Sequence, residues 1–185
     1  MRKTVFTYGL IAGGIITAFM AVGIPICMNA TAKDFATSEL IGYTSMVLSF
    51  VAVFLGIRSY RENAGGGTIT FGRAFKVGIL ISLVASAIYV ISWEIIYFNF
   101  VPDFADKFAA ITIDKLRADG ASATEIVAAE KKMAEFKRLY ANPLFNVGMT
   151  FMEIFPVGLI MTLVSAAILR KKPTPPAGAA ATAVA

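Results

Sequence analysis

The chain has 185 residues, of which 57% are hydrophobic and only 16% are charged, and its formal net charge is +5. A soluble domain of this length has a more polar surface and shorter apolar runs, so the composition indicates a membrane protein. The sequence contains no histidine and one cysteine, Cys27, which excludes imidazole catalysis and an intrachain disulfide. We expect neither a cofactor nor a metal ion, and we interpret Cys27 as a packed thiol.

Four apolar segments are long enough to cross the hydrocarbon core of a bilayer, which takes about 20 helical residues. They cover residues 4–28, 35–57, 74–100 and 144–169. Because the bilayer core offers no water to backbone groups, each segment is predicted to be helical. The predicted fold is all-α and integral to the membrane, with a four-transmembrane-helix bundle built from residues 1–171.

The positive charges are distributed unevenly among the connections between these spans. Nine cations lie at the two chain ends and between spans 2 and 3, where Glu62 is the only acid; they are Arg2, Lys3, Arg58, Arg61, Arg73, Lys76, Arg170, Lys171 and Lys172. Cytoplasmic loops are enriched in lysine and arginine, so this pattern predicts a bacterial inner-membrane protein with both termini in the cytoplasm. It also indicates the lipid bilayer, and not nucleic acid, as the partner of these charges.

Spans 1 and 2 each have small residues at intervals of three or four. In span 1 they are Gly9, Gly13, Thr17 and Ala21; in span 2 they are Ser38, Gly42, Ser45, Ser49, Ala52 and Gly56. In lipid, such a face lets two helices approach closely. Two uses are open at this point: packing inside one bundle, or contact with a second copy or an unidentified membrane protein.

The connection between spans 2 and 3 has the composition of a flexible turn over residues 58–67, which end in three consecutive glycines. Thr70 follows shortly afterwards, at a position suited to cap the helix that becomes span 3. Arg73 and Lys76 would then extend toward the lipid headgroups.

Between Pro102 and Pro143 the sequence becomes charged, with apolar residues at helical spacing. In the second half of this segment the predicted apolar face consists of Ile126, Ala129, Met133, Phe136 and Tyr140. Ser122 precedes Glu125 by three residues, which is the capping-box arrangement for a helix start, and Gly120 lies just before it. We therefore predict an extramembrane antiparallel helical hairpin, residues 103–141, between spans 3 and 4. Residues 172–185 are rich in proline and alanine and are predicted to be a disordered tail.

Two glutamates, Glu94 and Glu153, lie inside otherwise uncharged apolar stretches. A carboxylate at membrane depth is costly, so each needs a partner, a proton or a water-filled cavity. Asn146 and Thr150 share a helix face with Glu153 at helical spacing. These four residues form the candidate intramembrane polar site; we identify no catalytic residue.

A purely structural role for Glu94 is equally consistent with its neighbours. Trp93 and Tyr97 flank it in a pattern typical of the aromatic belt at a membrane interface. Glu94 would then lie near the headgroups and contact water or residues of the hairpin.

The leading functional hypothesis is a non-enzymatic multi-pass membrane protein that contacts protein or lipid partners through its hairpin and its small-residue helix faces. One alternative is a small proton- or cation-coupled carrier that uses Glu94 and Glu153. Four spans are few for a carrier, so this alternative implies a homo-oligomer. A second alternative is an accessory protein that binds a lipid or a small amphiphile.

Several blocks of the sequence resemble an uncharacterised bacterial family of four-span membrane proteins, a domain-of-unknown-function family with no established activity. The blocks are GGGTITFGRAFKVG at 65–78, YVISWEIIY at 89–97, PDF at 102–104, EFKRLYANPLF at 135–145 and EIFPVGL at 153–159. The resemblance covers about residues 1–171. It implies residence in the bacterial inner membrane and the four-span topology, and it assigns no reaction, substrate or site.

Overall fold

The computed structural model describes residues 1–28 and 32–171, with the backbone alone for residues 25–28 and 32–39. The Cys27 thiol, the Ser38 side chain and the predicted tail 172–185 therefore lie outside the described residues. Throughout the described part the chain forms helices joined by short turns, without a β-strand.

Six helices follow one another: α1 Arg2–Met28, α2 Ala32–Ala64, α3 Phe71–Asn99, α4 Phe104–Ala118, α5 Ala123–Tyr140 and α6 Pro143–Leu169. Helices α1, α3 and α6, and α2 from Leu40 onward, are long and apolar enough to cross a membrane. The predicted all-α membrane bundle with a helical hairpin between spans 3 and 4 is confirmed.

The four long helices form a bundle in which α1 and α6 occupy opposite corners. Each of these two packs against both α2 and α3, and α2 also contacts α3 across the centre. The centre of the bundle is apolar and includes Phe50, Ile57, Ile81 and Ile154, all almost completely buried. The C-terminal ends of α2 and α6 lie together with the N-terminal end of α3. Helices α4 and α5 lie at the opposite end of the bundle.

Three glycines of the small-residue faces of spans 1 and 2 lie inside this bundle. A Cβ atom added to Gly9 would lie 2.6 Å from the Val84 side chain, and one added to Gly13 would lie 2.7 Å from the Ile88 side chain. Gly56 makes an equally close approach, to Ile81. These three glycines let α1 and α2 approach α3 within one chain. Ala21 of the same row is exposed, and a Cβ atom added to Gly42 would meet nothing within 4 Å.

The turn predicted over residues 58–67 begins later than expected, because α2 continues to Ala64. An ion pair between Arg58 and Glu62 and a hydrogen bond from Asn63 to Ser59 join residues four apart along this last part of α2. Such pairs support a helix that projects beyond the apolar stretch. The turn itself starts at Gly65, where two glycines with positive φ follow.

Gly65 is required at this turn because no space remains for a side chain. A Cβ atom there would lie 2.3 Å from the carbonyl oxygen of Thr68 and 2.9 Å from that of Arg61. We expect Gly65→Ala to lower the free energy of unfolding by about 1–3 kcal/mol through forced backbone movement. Thermal unfolding in detergent measures the effect. Gly72→Ala is the control, because nothing lies within 4 Å of its added Cβ; equal midpoints for the two variants would contradict the expectation.

The same turn is fastened to the end of α6. The backbone N–H of Ile69 donates to Lys171, and the N–H of Lys171 donates back to Ile69, at 3.0 and 2.9 Å. Arg61 donates from Nη1 to the carbonyl of Leu169 at 3.3 Å. Thr70 caps α3 by accepting from the N–H of Arg73, as its position predicted. We call this end of the bundle the basic end, after its cations.

The hairpin is formed by α4 and α5, with a turn at Gly120 where φ is +78°. Ion pairs join the two arms, from Arg117 to Glu130 and from Lys137 to Asp106. Such exposed pairs contribute little to stability. The hairpin also contacts the bundle, α4 against α2 and α5 against α6. We call this the hairpin end.

The predicted capping box is present at the start of α5. The Glu125 carboxylate accepts from both the N–H and the O–H of Ser122, at 2.8 and 2.7 Å, while the Ser122 hydroxyl accepts from the Glu125 N–H. The hydrogen bonds from Ser122 lower the pKa of Glu125 below its usual value of 4.5. A lowered pKa stabilises the helix start at pH values above 4.5, and that contribution is lost as the pH falls through the lowered pKa.

We therefore expect the amide protons at the start of α5 to lose protection from hydrogen exchange between pH 6 and pH 3, after correction for the intrinsic rate. Exchange measured by mass spectrometry on the intact protein tests this. Glu125→Gln is the control, because glutamine can also cap but does not titrate in this range. Unchanged protection in the wild-type protein would contradict the expectation.

Candidate functional site

A hydrogen-bonded network of four side chains joins α3, α5 and α6 near the hairpin end. Trp93 donates from Nε1 to the Tyr140 hydroxyl at 2.9 Å and to Asn146 Oδ1 at 3.0 Å. Thr150 donates to the same Asn146 oxygen at 3.2 Å. The exposed fractions are 7% for Trp93 and Tyr140, 3% for Thr150 and 0% for Asn146. We call these four residues the polar network.

The local structure explains how these side chains meet. Tyr140 is the last residue of α5, and only two residues separate it from Pro143, the first residue of α6. Asn142 caps α6 by accepting from the N–H of Leu144. Asn146 and Thr150 are four residues apart and therefore lie on one face of α6, toward α3. The short α5–α6 connection thus places Tyr140 directly over the start of that face.

Aromatic rings surround the polar network and attach the hairpin to the bundle. The Trp93 ring meets the Phe104 ring edge-on with 4.8 Å between centroids, and the Tyr97 ring meets the Tyr140 ring in the same way at 5.4 Å. Phe136 packs on Tyr140 at 4.9 Å and on Phe108 at 5.7 Å. We call these six residues the aromatic cap.

The aromatic cap corrects the prediction of an interfacial belt. Trp93 and Tyr97 are each only 7% exposed and are buried against hairpin residues, whereas a belt would place them in the headgroup region. A belt and a cap have the same sequence pattern, because both place aromatic residues near the end of a membrane helix. They differ in whether the hairpin covers the aromatic residues, as it does here.

The environment of Tyr140 keeps its hydroxyl neutral. Burial raises the pKa of Tyr140 above its usual value, and the hydrogen bonds with Thr150 and Trp93 oppose this only partly. The Glu153 carboxylate also raises the pKa, so it lies within electrostatic range of the phenol. Tyr140 therefore acts as a neutral hydrogen-bonding group.

Glu153 does not belong to the polar network, although the sequence predicted one face for Asn146, Thr150 and Glu153. The Glu153 side chain lies on the exposed surface of the bundle. It makes no hydrogen bond or ion pair to the residues that the structure describes. The buried residues of α6 follow one another every four residues, from Asn146 through Thr150 to Ile154. Glu153 lies about 100° around the helix from Ile154, its buried neighbour in the chain. At its depth it therefore lies at the edge of the buried face, and the predicted face is corrected to Asn146 and Thr150 alone.

Glu94 is half-buried on α3, next to Trp93. Its Oε1 atom is buried and accepts no hydrogen bond in the described part of the chain. No hydrogen bond joins Glu94 to Glu153 among those residues. The structure therefore brings two of the four predicted site residues together and leaves the two carboxyl groups outside their network.

Helix α6 continues without interruption through Pro156. Because proline has no N–H, the carbonyl of Met152 loses its partner within the helix. This free carbonyl lies one residue before Glu153, so α6 has a local excess of hydrogen-bond acceptors at this depth.

Trp93 and Tyr140 are the site residues that the sequence did not indicate. Trp93 was assigned to the belt, and Tyr140 to the apolar face of the hairpin. The available signal was chemical: a buried tryptophan N–H or tyrosine O–H needs a partner. A polar residue at the start of the next span, such as Asn146, could have suggested that partner.

Residues 7–171 match the protein family described as Protein of unknown function (DUF4199). The matched range contains α1 from Thr7 onward, the three other membrane helices and the hairpin. The chain belongs to this family. Membership in DUF4199 confirms the resemblance to a family with no established activity and leaves residues 172–185 outside the match. No curated protein and no solved structure matches the chain.

Proposed function

We propose that this DUF4199 protein is a non-enzymatic multi-pass protein of the bacterial inner membrane whose hairpin contacts a protein partner on the periplasmic side. The observation that carries the proposal is the aromatic cap, which holds the hairpin in a fixed orientation on the bundle. A fixed surface loses less conformational entropy on binding than a mobile one.

The charge distribution supports this orientation in the membrane. Eight cations of the described chain lie at the basic end, where Glu62 is the only acid; they are Arg2, Lys3, Arg58, Arg61, Arg73, Lys76, Arg170 and Lys171. The hairpin, by contrast, has a balanced charge. The positive-inside rule then places the basic end and both termini in the cytoplasm.

The surface of the hairpin supports a contact function. Most of α5 is exposed, and Val127, an apolar residue in its first half, is 65% exposed. Gly9, Gly13 and Gly56 are used inside the bundle, whereas α4 and α5 form a structured connection between α3 and α6. The absence of histidine from the sequence is consistent with a non-enzymatic role.

A photo-reactive amino acid at Val127 tests the proposal in living cells. We expect a crosslinked protein adduct that is lost when Trp93→Ala releases the hairpin. Ile168 is the matched control, since it is also 65% exposed but lies in the membrane part of α6. Adducts with lipid alone, or with a second copy alone, would refute the proposed partner.

A carrier of protons or cations is a second candidate, favoured by the two carboxyl groups. Glu94 Oε1 is buried without a partner, and Glu153 has no ion pair among the described residues. Both lie in helices that span the membrane, where such groups mark transport paths. Reconstitution with a pH-sensitive dye tests this candidate: gradient-driven flux that Glu153→Gln abolishes would support it, and a lack of flux would exclude it. This candidate also requires a homo-oligomer, which cross-linking in the same vesicles would show.

A further inference from the structure

Polar side chains line the interface between α3 and α6 along most of its length. Toward the basic end their hydrogen bonds are complete. Ser82 donates to the carbonyl of Gly158 at 3.2 Å and lies 3.0 Å from the Thr162 hydroxyl. Gly158 and Gly78 let the two helices approach closely there, so this part of the interface is closed by direct contacts.

Toward the hairpin end the hydrogen bonds are incomplete. Ser86 Oγ and Asn146 Nδ2 are buried and have no partner in the described part of the chain, although both residues are 0% exposed. An unsatisfied buried polar group costs about 1–3 kcal/mol. In native proteins such groups are nearly always paired with protein or with ordered water.

Measured along the helices from the hairpin end, Glu153 lies deeper than Asn146 and less deep than Ser86. At about 1.5 Å per residue, Asn146 is about 4.5 Å from the start of α6, and Ser86 is about 20 Å from the end of α3. Glu153 and Tyr89 both lie about 15 Å from the hairpin end by the same measure. The polar residues of this interface thus form a path from the membrane surface to the level of Glu153.

We propose that water enters the α3–α6 interface from the hairpin end, binds Asn146 and Ser86, and reaches the depth of Glu153, which lies at the edge of the buried face of α6. The chemistry of the unpaired groups selects water. Asn146 Nδ2 can only donate and would repel a cation, whereas the Glu153 carboxylate nearby would repel an anion. A water molecule accepts from Asn146 and donates to a carboxylate or a serine, so it satisfies each group. This inference goes beyond the proposed contact function and does not require transport.

Cysteine accessibility tests the proposal on the full-length protein in nanodiscs. Cys27→Ser removes the one native thiol. In that background, Ser86→Cys should react with a small cationic methanethiosulfonate at least tenfold faster than Ile154→Cys. The reason is that only a hydrated thiol ionises to the reactive thiolate. Ile154 is the control because it lies next to Glu153 and is 0% exposed, but is apolar.

Equal rates for Ser86→Cys and Ile154→Cys would overturn the proposal, provided that both thiols react fully after denaturation in detergent. Reaction at Asn146→Cys without reaction at Ser86→Cys would also overturn it, because water would then stop near the membrane surface. Should Ser86→Cys not fold, Thr150→Cys is judged by the same criterion, since it lies on the same path about 10 Å from the hairpin end. The test is independent of crosslinking at Val127, so the two proposals can fail separately.

Discussion

Trp93→Ala is expected to lower the free energy of unfolding by about 3–5 kcal/mol, the usual cost of truncating a large buried aromatic side chain. Trp93 is 7% exposed, and its ring packs on Phe104 and Tyr97. Its indole N–H donates to both Tyr140 and Asn146. The variant therefore loses ring packing, removes the donor to the Tyr140 hydroxyl and leaves Thr150 as the donor to Asn146 Oδ1. We also expect the hairpin to separate from the bundle, since the cap is its main apolar attachment.

Two measurements check this expectation. Thermal unfolding in detergent reports the loss of stability, and limited proteolysis between α3 and α4 reports release of the hairpin. Phe100→Ala is the matched control, because Phe100 lies at the same end of α3 but is 73% exposed. Trp93→Phe should cost less, about 1–3 kcal/mol, because it keeps an aromatic ring although it loses the N–H and part of the indole volume. Wild-type protease resistance in Trp93→Ala would show that the cap does not hold the hairpin.

Gly158→Val is expected to be the second strongly destabilising change, by about 3 kcal/mol, because it overpacks the interface of three membrane helices. A Cβ atom at Gly158 would lie 2.9 Å from two ring carbons of Phe50 and 3.0 Å from Ser82 Cβ. Phe50 is 1% exposed and has no space into which to move. The valine would also push α6 away from Ser82, which donates to the Gly158 carbonyl.

Gly148→Val on the same helix is the control for this prediction. Nothing lies within 4 Å of a Cβ atom at Gly148, and the residue is exposed. Because glycine is a poor helix former, this control should be neutral or slightly stabilising. Thermal unfolding of both variants in the same detergent tests the prediction, and we expect a lower midpoint for Gly158→Val than for Gly148→Val. Equal midpoints would mean that α6 does not approach α2 and α3 as closely as the structure shows.

Much of the fold follows from local features of the sequence. The four apolar stretches predicted the membrane helices within a few residues at most boundaries, because a helix in lipid must be long and continuous. The capping residues Ser122 and Thr70 were also predicted correctly, since a cap depends on three or four consecutive residues. The end of α2 was predicted too early, because the pairs that extend it, such as Arg58 with Glu62, override the composition of a turn.

The candidate site was predictable only in part. Asn146 and Thr150 were identified because polar residues in an apolar helix are rare and lie at helical spacing. Trp93 and Tyr140 were not, since their roles depend on the hairpin, which joins residues 47 apart in the chain. Glu153 was placed on the same face because it lies only about 20° around the helix from Asn146. The buried stripe instead continues through Ile154, about 100° from Glu153.

Four long apolar segments and one charged connection were enough to predict a four-helix membrane protein with a hairpin, since the bilayer constrains the length and hydrophobicity of each helix separately. Which helix faces meet became visible only in the folded chain. There Gly9, Gly13 and Gly56 face α3, and Trp93 and Tyr97 belong to an aromatic cap and not to an interfacial belt. Helix faces are selected by close packing and hydrogen bonding between segments that are distant in the chain, and no local pattern encodes which segments those will be.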